Sequence, residues 1–212
     1  MNEYQFTNDW FNMARARDVW EKLTTMLPSE AGQRQFLEIG SFEGRSSIWI
    51  AENMMQDGDH LRCIDTWEGS EEHSAENMRE VEKRFQHNLS IAADKFPNRH
   101  ILQSKGTSII NLAMLQGKVE HDFIYIDGSH TAPDVLTDAC LAWPLLKHGG
   151  LMVLDDYMWG NPRDALHRPK IAIDAFTTIF GETLDIVHVR YQIVVRKKTT
   201  NADTMFEQLF TI

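Results

Sequence analysis

The sequence is short of cysteine, of basic charge and of long apolar runs, and each shortage argues against a class of protein. Only Cys63 and Cys140 occur among its 212 residues, and neither has a C-x-x-C partner. That argues against a disulfide framework or a thiolate zinc site. Both thiols lie in apolar contexts and are expected to be small buried residues of a protein kept in a reducing cytoplasm. Asp and Glu number 31 against 21 Lys and Arg, a net charge of -10. The basic footprint of a nucleic-acid binder is missing, and an acidic surface suits anionic membranes poorly. No apolar run approaches the roughly 20 residues of a membrane span. The start, "MNEYQFTNDWFNMARARDVW", has no basic stretch leading into an apolar one, so no secretory signal is expected. There is no G-x-G-x-x-G either, which counts against a nicotinamide-dependent dehydrogenase.

What remains is an ordinary soluble composition, 42% hydrophobic and 25% charged, in a chain long enough for one domain with a proper core. The apolar residues Trp10, Met13, Val19, Trp20, Leu23 and Leu27 predict a helix over 9–27. Strands are predicted at 35–39, 60–65, 100–104, 121–127 and 151–156. The intervening helices are expected near 44–54, 75–95, 107–115, 133–143 and 169–180, with Pro133 as a first helical residue and Gly149-Gly150 ending a segment. Two β-rich runs near 183–189 and 191–196 read as a closing hairpin around Arg190. Five alternations of strand and helix imply an α/β protein with a mostly parallel, doubly wound sheet, seven strands in all with the antiparallel C-terminal hairpin. Ligands of such sheets bind beyond the carboxyl ends of the strands, near the switch point.

That rule singles out a few loops. In "FLEIGSFEGRSS" (36–47) Gly40 permits a sharp turn and close approach to a ligand, and the following helix N-terminus offers free N–H groups. Asp65 ends the second strand, where an acid either accepts from ribose hydroxyls or caps the next turn. Asp127 and Asp155 close two strands expected to be neighbours, about 4.8 Å apart, so their carboxylates can converge. Crowded carboxylates repel unless a cation intervenes, and a hard divalent ion such as magnesium is the natural one. Asp156 could be a third ligand, but only if the chain turns there, since consecutive strand residues face opposite ways. His130, three residues after Asp127, is placed to accept a proton at neutral pH. The acidic stretch "EEHSAENMREVEKR" (71–84) reads as a solvated face or lid.

Taken together, "LEIGSFEGRS", "CIDTWEG", "FIYIDGSH" and "LMVLDD" resemble the class I S-adenosylmethionine-dependent methyltransferases. The closer resemblance is to metal-dependent small-molecule O-methyltransferases, in the branch with macrocin-type sugar O-methyltransferases and cephalosporin hydroxylase-like proteins. It spans about residues 35–160 and implies a Rossmann-like fold. It also implies that Glu38 helps place the methionine amino group, that Gly40 and Ser41 line the cofactor, and that Ser46 lies near its methionine end. By the same resemblance Asp65 holds the ribose, Thr107 and Ser108 lie near the adenine, and Asp127 borders the cofactor while joining Asp155 and Asp156 as metal ligands. His130 matches the general base of the sugar-methylating branch. The expected partner is a small-molecule hydroxyl substrate, with no nucleic acid and no membrane, in a cytoplasmic protein that could form a homo-oligomer. Trp67, Tyr157 and Trp159 are candidates for an apolar wall around the substrate. The expected organisation is one methyltransferase domain over 1–212, with an N-terminal helical segment (1–30), a helical insert (66–98) and a C-terminal tail (199–212). Regions 66–98 and 157–170 match no known specificity, so a metal-independent small-molecule methyltransferase and a non-catalytic, cofactor-binding or oligomerising protein remain as alternatives.

Overall fold

The structure is a computed structural model that describes residues 3–13, 16–27, 32–69, 77–160 and 164–199. Seven strands form one sheet: β1 (Gln35–Ile39), β2 (His60–Asp65), β3 (His100–Lys105), β4 (His121–Ile126), β5 (Leu146–Leu154), β6 (Leu184–Val189) and β7 (Ile193–Lys197). Their order across the sheet is β3-β2-β1-β4-β5-β7-β6. The first five strands are mutually parallel, whereas β7 runs antiparallel to both β5 and β6. The helices are α1 (Trp10–Met13), α2 (Ala16–Thr24), α3 (Arg45–Asn53), α4 (Met78–Lys95), α5 (Ser108–Leu115), α6 (Ala132–Ala142) and α7 (Pro169–Ile179).

The pleat explains the two-sided core. Successive residues of a strand point to opposite faces, so Phe36, Phe123 and Tyr125 join one apolar layer while Leu37, Ile124 and Ile126 join the other. The first layer contains Trp20 and Leu23 of α2, Ile50 of α3 and Phe85 of α4; the second contains Leu112 of α5, Val135 of α6 and Phe176 of α7. Every residue of β4 is buried, as expected of a central parallel strand covered on both sides. The chain leaves β1 toward β2 and β3, then crosses back to enter β4 on the other flank of β1. The switch point therefore lies between the carboxyl ends of β1 and β4.

Two expectations need correction. Gly149-Gly150 lies inside β5, which starts at Leu146, not at 151. The pairing of β4 with β5 shifts register between His121 and Phe123, and a Cβ at Gly150 would lie 2.9 Å from Leu146 Cδ1. The glycines thus accommodate a bulge within one strand. Cys140 is exposed, although Cys63 is buried as expected. The helix expected over 9–27 is described in two parts, α1 and α2, because residues 14–15 lie outside the described residues, as do 70–76, which include most of the first half of the acidic stretch, and 200–212 of the tail.

Phe123 is fully buried and packs on Phe36 and edge-on against Trp20. Phe123→Ala is expected to cost about 3–5 kcal/mol of folding free energy, read as a lower urea midpoint with an unchanged transition slope.

Candidate active site

The loop after β1 is shaped by a close approach of main chains. Gly40 has φ +85°, and a Cβ there would lie 2.1 Å from the Asp127 carbonyl oxygen. No side chain fits, so the tips of β1 and β4 can meet. The ladder continues past the strand ends, with Asp127 N donating to Ile39 O at 2.8 Å and Gly40 N to Ile64 O at 2.9 Å.

Glu38, the acid of this loop, is buried beneath it on the α3 side of β1. Its carboxylate accepts from Ser41 Oγ at 2.7 Å, from Ser46 Oγ at 2.5 Å and from the Ser47 hydroxyl. Burial raises its pKa despite those donors. Asp65 Oδ2 accepts from the N–H groups of Ser41 and Phe42, each at 2.9 Å, and Oδ1 from Trp67 N at 2.7 Å. Both acids therefore hold the loop, Glu38 from below and Asp65 from its mouth.

A cleft of about 460 Å³ opens beyond the strand ends, and Gly40, Asp65, Thr107, Ser108, Gly128 and His130 line it. Of the expected cofactor residues, Gly40, Asp65, Thr107 and Ser108 thus share one cavity. Ser41 and Ser46 are buried beside it with their hydroxyls turned to Glu38.

The acidic cluster stands next to this cleft. Asp127 follows β4, and Asp155 and Asp156 follow β5. Asp156 has φ +56°, the turn needed to bring two consecutive acids to one place. Ligand atoms of Asp127, His130 and Asp156 all lie within 4.8 Å of one another. His130 Nε2 is 2.6 Å from Asp156 Oδ2, and the Trp159 ring lies over the imidazole with centroids 4.4 Å apart. Asp155 sits deeper: its Oδ1 accepts from Asp156 N at 2.7 Å, and its Oδ2 from Gln192 Nε2 at 2.6 Å and from the Tyr125 hydroxyl. Burial and the neighbouring Asp156 push the Asp155 pKa up to about 6. Burial and the charges of Asp155 and Asp156 raise that of Asp127 well above the usual carboxylate range. This is a site with an excess of negative charge, and the chemistry of its donors, oxygens with one imidazole, fits a hard cation.

Several partners in this cluster were not visible in the sequence. Tyr125 also donates to Asp127 Oδ2 at 2.8 Å, Tyr191 donates to Asp156 Oδ1 at 2.8 Å, and Trp20 Nε1 donates to Gln192 Oε1 at 2.9 Å. Tyr125 had a signal, since it lies two residues before Asp127 and so shares its side of the strand. Gln192 and Tyr191 had none, because only the pairing of β7 with β5 brings them near. Asp138 was missed as well; as an acid at the helical spacing of the buried Val135, Ala139 and Ala142, it sits on the core face of α6. Trp67, by contrast, is core: it packs on Phe85 and donates to Phe42 O. Tyr157 pairs with Asp174 and Lys170.

The family described as "Methyltransferase domain" matches residues 37–157, more than half of the chain. The chain belongs to this methyltransferase family. Among curated proteins none matches the methyltransferase significantly. Solved structures do. A proposed O-methyltransferase from Klebsiella pneumoniae aligns with TM-score 0.62 at 19% identity, covering 93% of this chain and 85% of that one. The O-methyltransferase TomG from Streptomyces achromogenes, involved in tomaymycin synthesis and solved with S-adenosylmethionine, aligns at 0.60 and 18%, covering 89% and 80%. MycE of the mycinamycin pathway, solved with Mg and S-adenosylhomocysteine, aligns at 0.53 and 16%, covering 93% of this chain and 52% of that one. At these identities the likeness establishes the fold, the Rossmann-like one of the class I S-adenosylmethionine-dependent methyltransferases. It is the fold that the resemblance had implied, built on the doubly wound sheet expected from the order of elements.

Removing the Tyr125 hydroxyl tests the cluster's electrostatics. Tyr125→Phe should lose about 1–3 kcal/mol of stability, and more at pH 8 than at pH 5. The folded pKa of Asp155, about 6, lies above the roughly 3.9 of an unfolded aspartate. Ionising it in the folded state therefore erodes stability as pH rises from about 4 to 6. Without the phenol that erosion deepens, and thermal midpoints across pH 4–8 measure it.

Proposed function

We propose that this methyltransferase moves a methyl group from S-adenosylmethionine to a hydroxyl of a small molecule, such as a sugar, a phenol or a natural-product intermediate. In this reading a hard divalent cation, magnesium by preference, belongs to the acidic cluster. The observation that carries it is the convergence of Asp127, His130 and Asp156 within 4.8 Å, at the cleft that Gly40, Asp65 and His130 line. The O-methyltransferase TomG was solved with S-adenosylmethionine and MycE with Mg and S-adenosylhomocysteine, which supports the same pair of ligands here. The reading takes 1–212 as a single methyltransferase domain acting in the cytoplasm.

When bound, S-adenosylmethionine supplies an electrophilic methyl group, and a magnesium ion would lower the pKa of an acceptor hydroxyl. The remaining work falls to the chain. Asp127 and Asp156 are the carboxylates that would hold the cation; Asp155, expected as a third donor, stands behind them with its oxygens on Tyr125, Gln192 and the Asp156 amide and would have to exchange one of these to join. Asp65 Oδ1, with Trp67 N as its donor, has a lone pair to spare for a ribose hydroxyl. Gly40 lets the cofactor approach the main chain, while Glu38 acts through the loop by holding Ser41 and Ser46. Thr107 and Ser108 border the purine side of the cleft. Asp156 holds the His130 ring through Nε2, and the imidazole is the base that takes the acceptor's proton. Trp159 covers the imidazole and limits water at the site of proton transfer. Holding nucleophile and methyl group in line would supply much of the rate.

The His130–Asp156 contact also supports a second reading, in which the histidine and its carboxylate deprotonate the acceptor without a metal. The two are separated by titrating the protein with S-adenosylmethionine, with and without magnesium, and by following transfer of labelled methyl groups to a panel of hydroxyl compounds. His130→Ala should lower turnover by about 100-fold or more and leave S-adenosylhomocysteine affinity unchanged. Asp127→Asn should abolish the magnesium-dependent part of the rate. Full activity in the presence of a chelator would favour the metal-free reading, and no binding of S-adenosylmethionine would sink both.

A further inference from the structure

Beneath the cleft lies a carboxyl group that the mechanism leaves unused. Asp138, on the core-facing side of α6, is 2% exposed and lines the cleft together with Thr107, Ser108 and Ile109 at the start of α5. The Ser108 hydroxyl hydrogen-bonds the carboxyl, whose pKa burial pushes up to about 6. Its Oδ1 has no hydrogen-bond partner among the described residues. A carboxylate oxygen shut away from water without a donor is costly. One that borders a ligand cleft is explained when the ligand brings the donor.

The cleft says which donor. Asp65 and Asp138 line the same cavity, and Ile64 and Ile109 add apolar surface suited to a planar base. Thr107 and Ser108 bring hydroxyls, but neither is a pure acceptor. Adenine carries a 6-amino group, its only strong donor once the ring is attached to ribose. Hypoxanthine has a carbonyl oxygen in that position and would set acceptor against acceptor. We propose that Asp138 reads the 6-amino group of the cofactor's purine, with Ser108 positioning its carboxyl, so that the cleft selects adenine over its deaminated counterpart. This rests on the S-adenosylmethionine reading of the cleft. It adds a recognition residue from α6, an element in which no cofactor contact was expected.

The test is calorimetric titration of the full chain with S-adenosylhomocysteine and with S-inosylhomocysteine, its deaminated form. Wild type should bind the adenine compound at least about tenfold more tightly, because the inosine compound leaves a buried acceptor unpaired. Asp138→Asn keeps the shape and can present an amide N–H₂ to the carbonyl. It should weaken S-adenosylhomocysteine and bring the affinity ratio close to one. Ser108→Ala should reduce the ratio part of the way. Equal affinity of wild type for the two compounds overturns the assignment and leaves the cofactor reading intact. So does an unchanged ratio in Asp138→Asn whose circular dichroism matches wild type; if that variant does not fold, the wild-type ratio and Ser108→Ala decide. Failure of wild type to bind either compound overturns the cofactor reading, and this inference with it.

Discussion

The main chain of Gly40 lies so close to that of Asp127 that no side-chain carbon fits between them. That contact ties the tip of β1 to the tip of β4, the two strands between which the sheet reverses its order. The candidate site depends on it. The loop that starts at Gly40 carries the serines held by Glu38 and the amides held by Asp65. The loop that starts at Asp127 carries His130 and leads into α6 with Asp138. A larger residue at position 40 would part these two loops and open the floor of the cleft.

Around this junction stand several acids, Glu38 and Asp155 among them buried, and the protein supplies most of them with donors. Glu38 is held by serine hydroxyls, Asp65 by backbone amides, and Asp155 by Tyr125, Gln192 and the Asp156 amide. Through Gln192 the last network reaches Trp20 of the N-terminal helix, so α2 is packed into the site's foundation. Buried polar networks are worthwhile only when their members are satisfied. The exceptions are therefore informative: the Asp127–Asp156 pair, with more negative charge than donors, and the unpaired oxygen of Asp138. These are the places where a bound cation and a bound base would do what the protein's own groups do elsewhere.

Much of this was legible in the chain. The alternation of strands and helices implied the sheet and its hairpin, and strands ending on Asp65, Asp127 and Asp155 marked the edge of the candidate site. Phe123, Ile124, Tyr125 and Ile126 read as a buried strand because β4 is covered on both faces. Gly149-Gly150 misled, since a glycine pair that usually stops an element here relieves a bulge within β5. Cys140 misled too, because an apolar sequence context does not say which side of α6 a residue occupies.

Local order, periodicity and the chemical types at strand ends are properties of the sequence. They determined the fold class, the edge of the sheet where ligands bind and the candidate acids. Which groups meet across the sheet depends on register and on a few dihedral angles, and only the tertiary structure decided that. The positive φ of Asp156 turned two adjacent acids toward one site. The antiparallel return of β7 brought Tyr191 and Gln192 beneath them. The packing of α6 beside α5 put Asp138 under the cleft that Ser108 lines. No spacing along the chain encodes these meetings, because they join residues tens of positions apart through surfaces that exist only after folding.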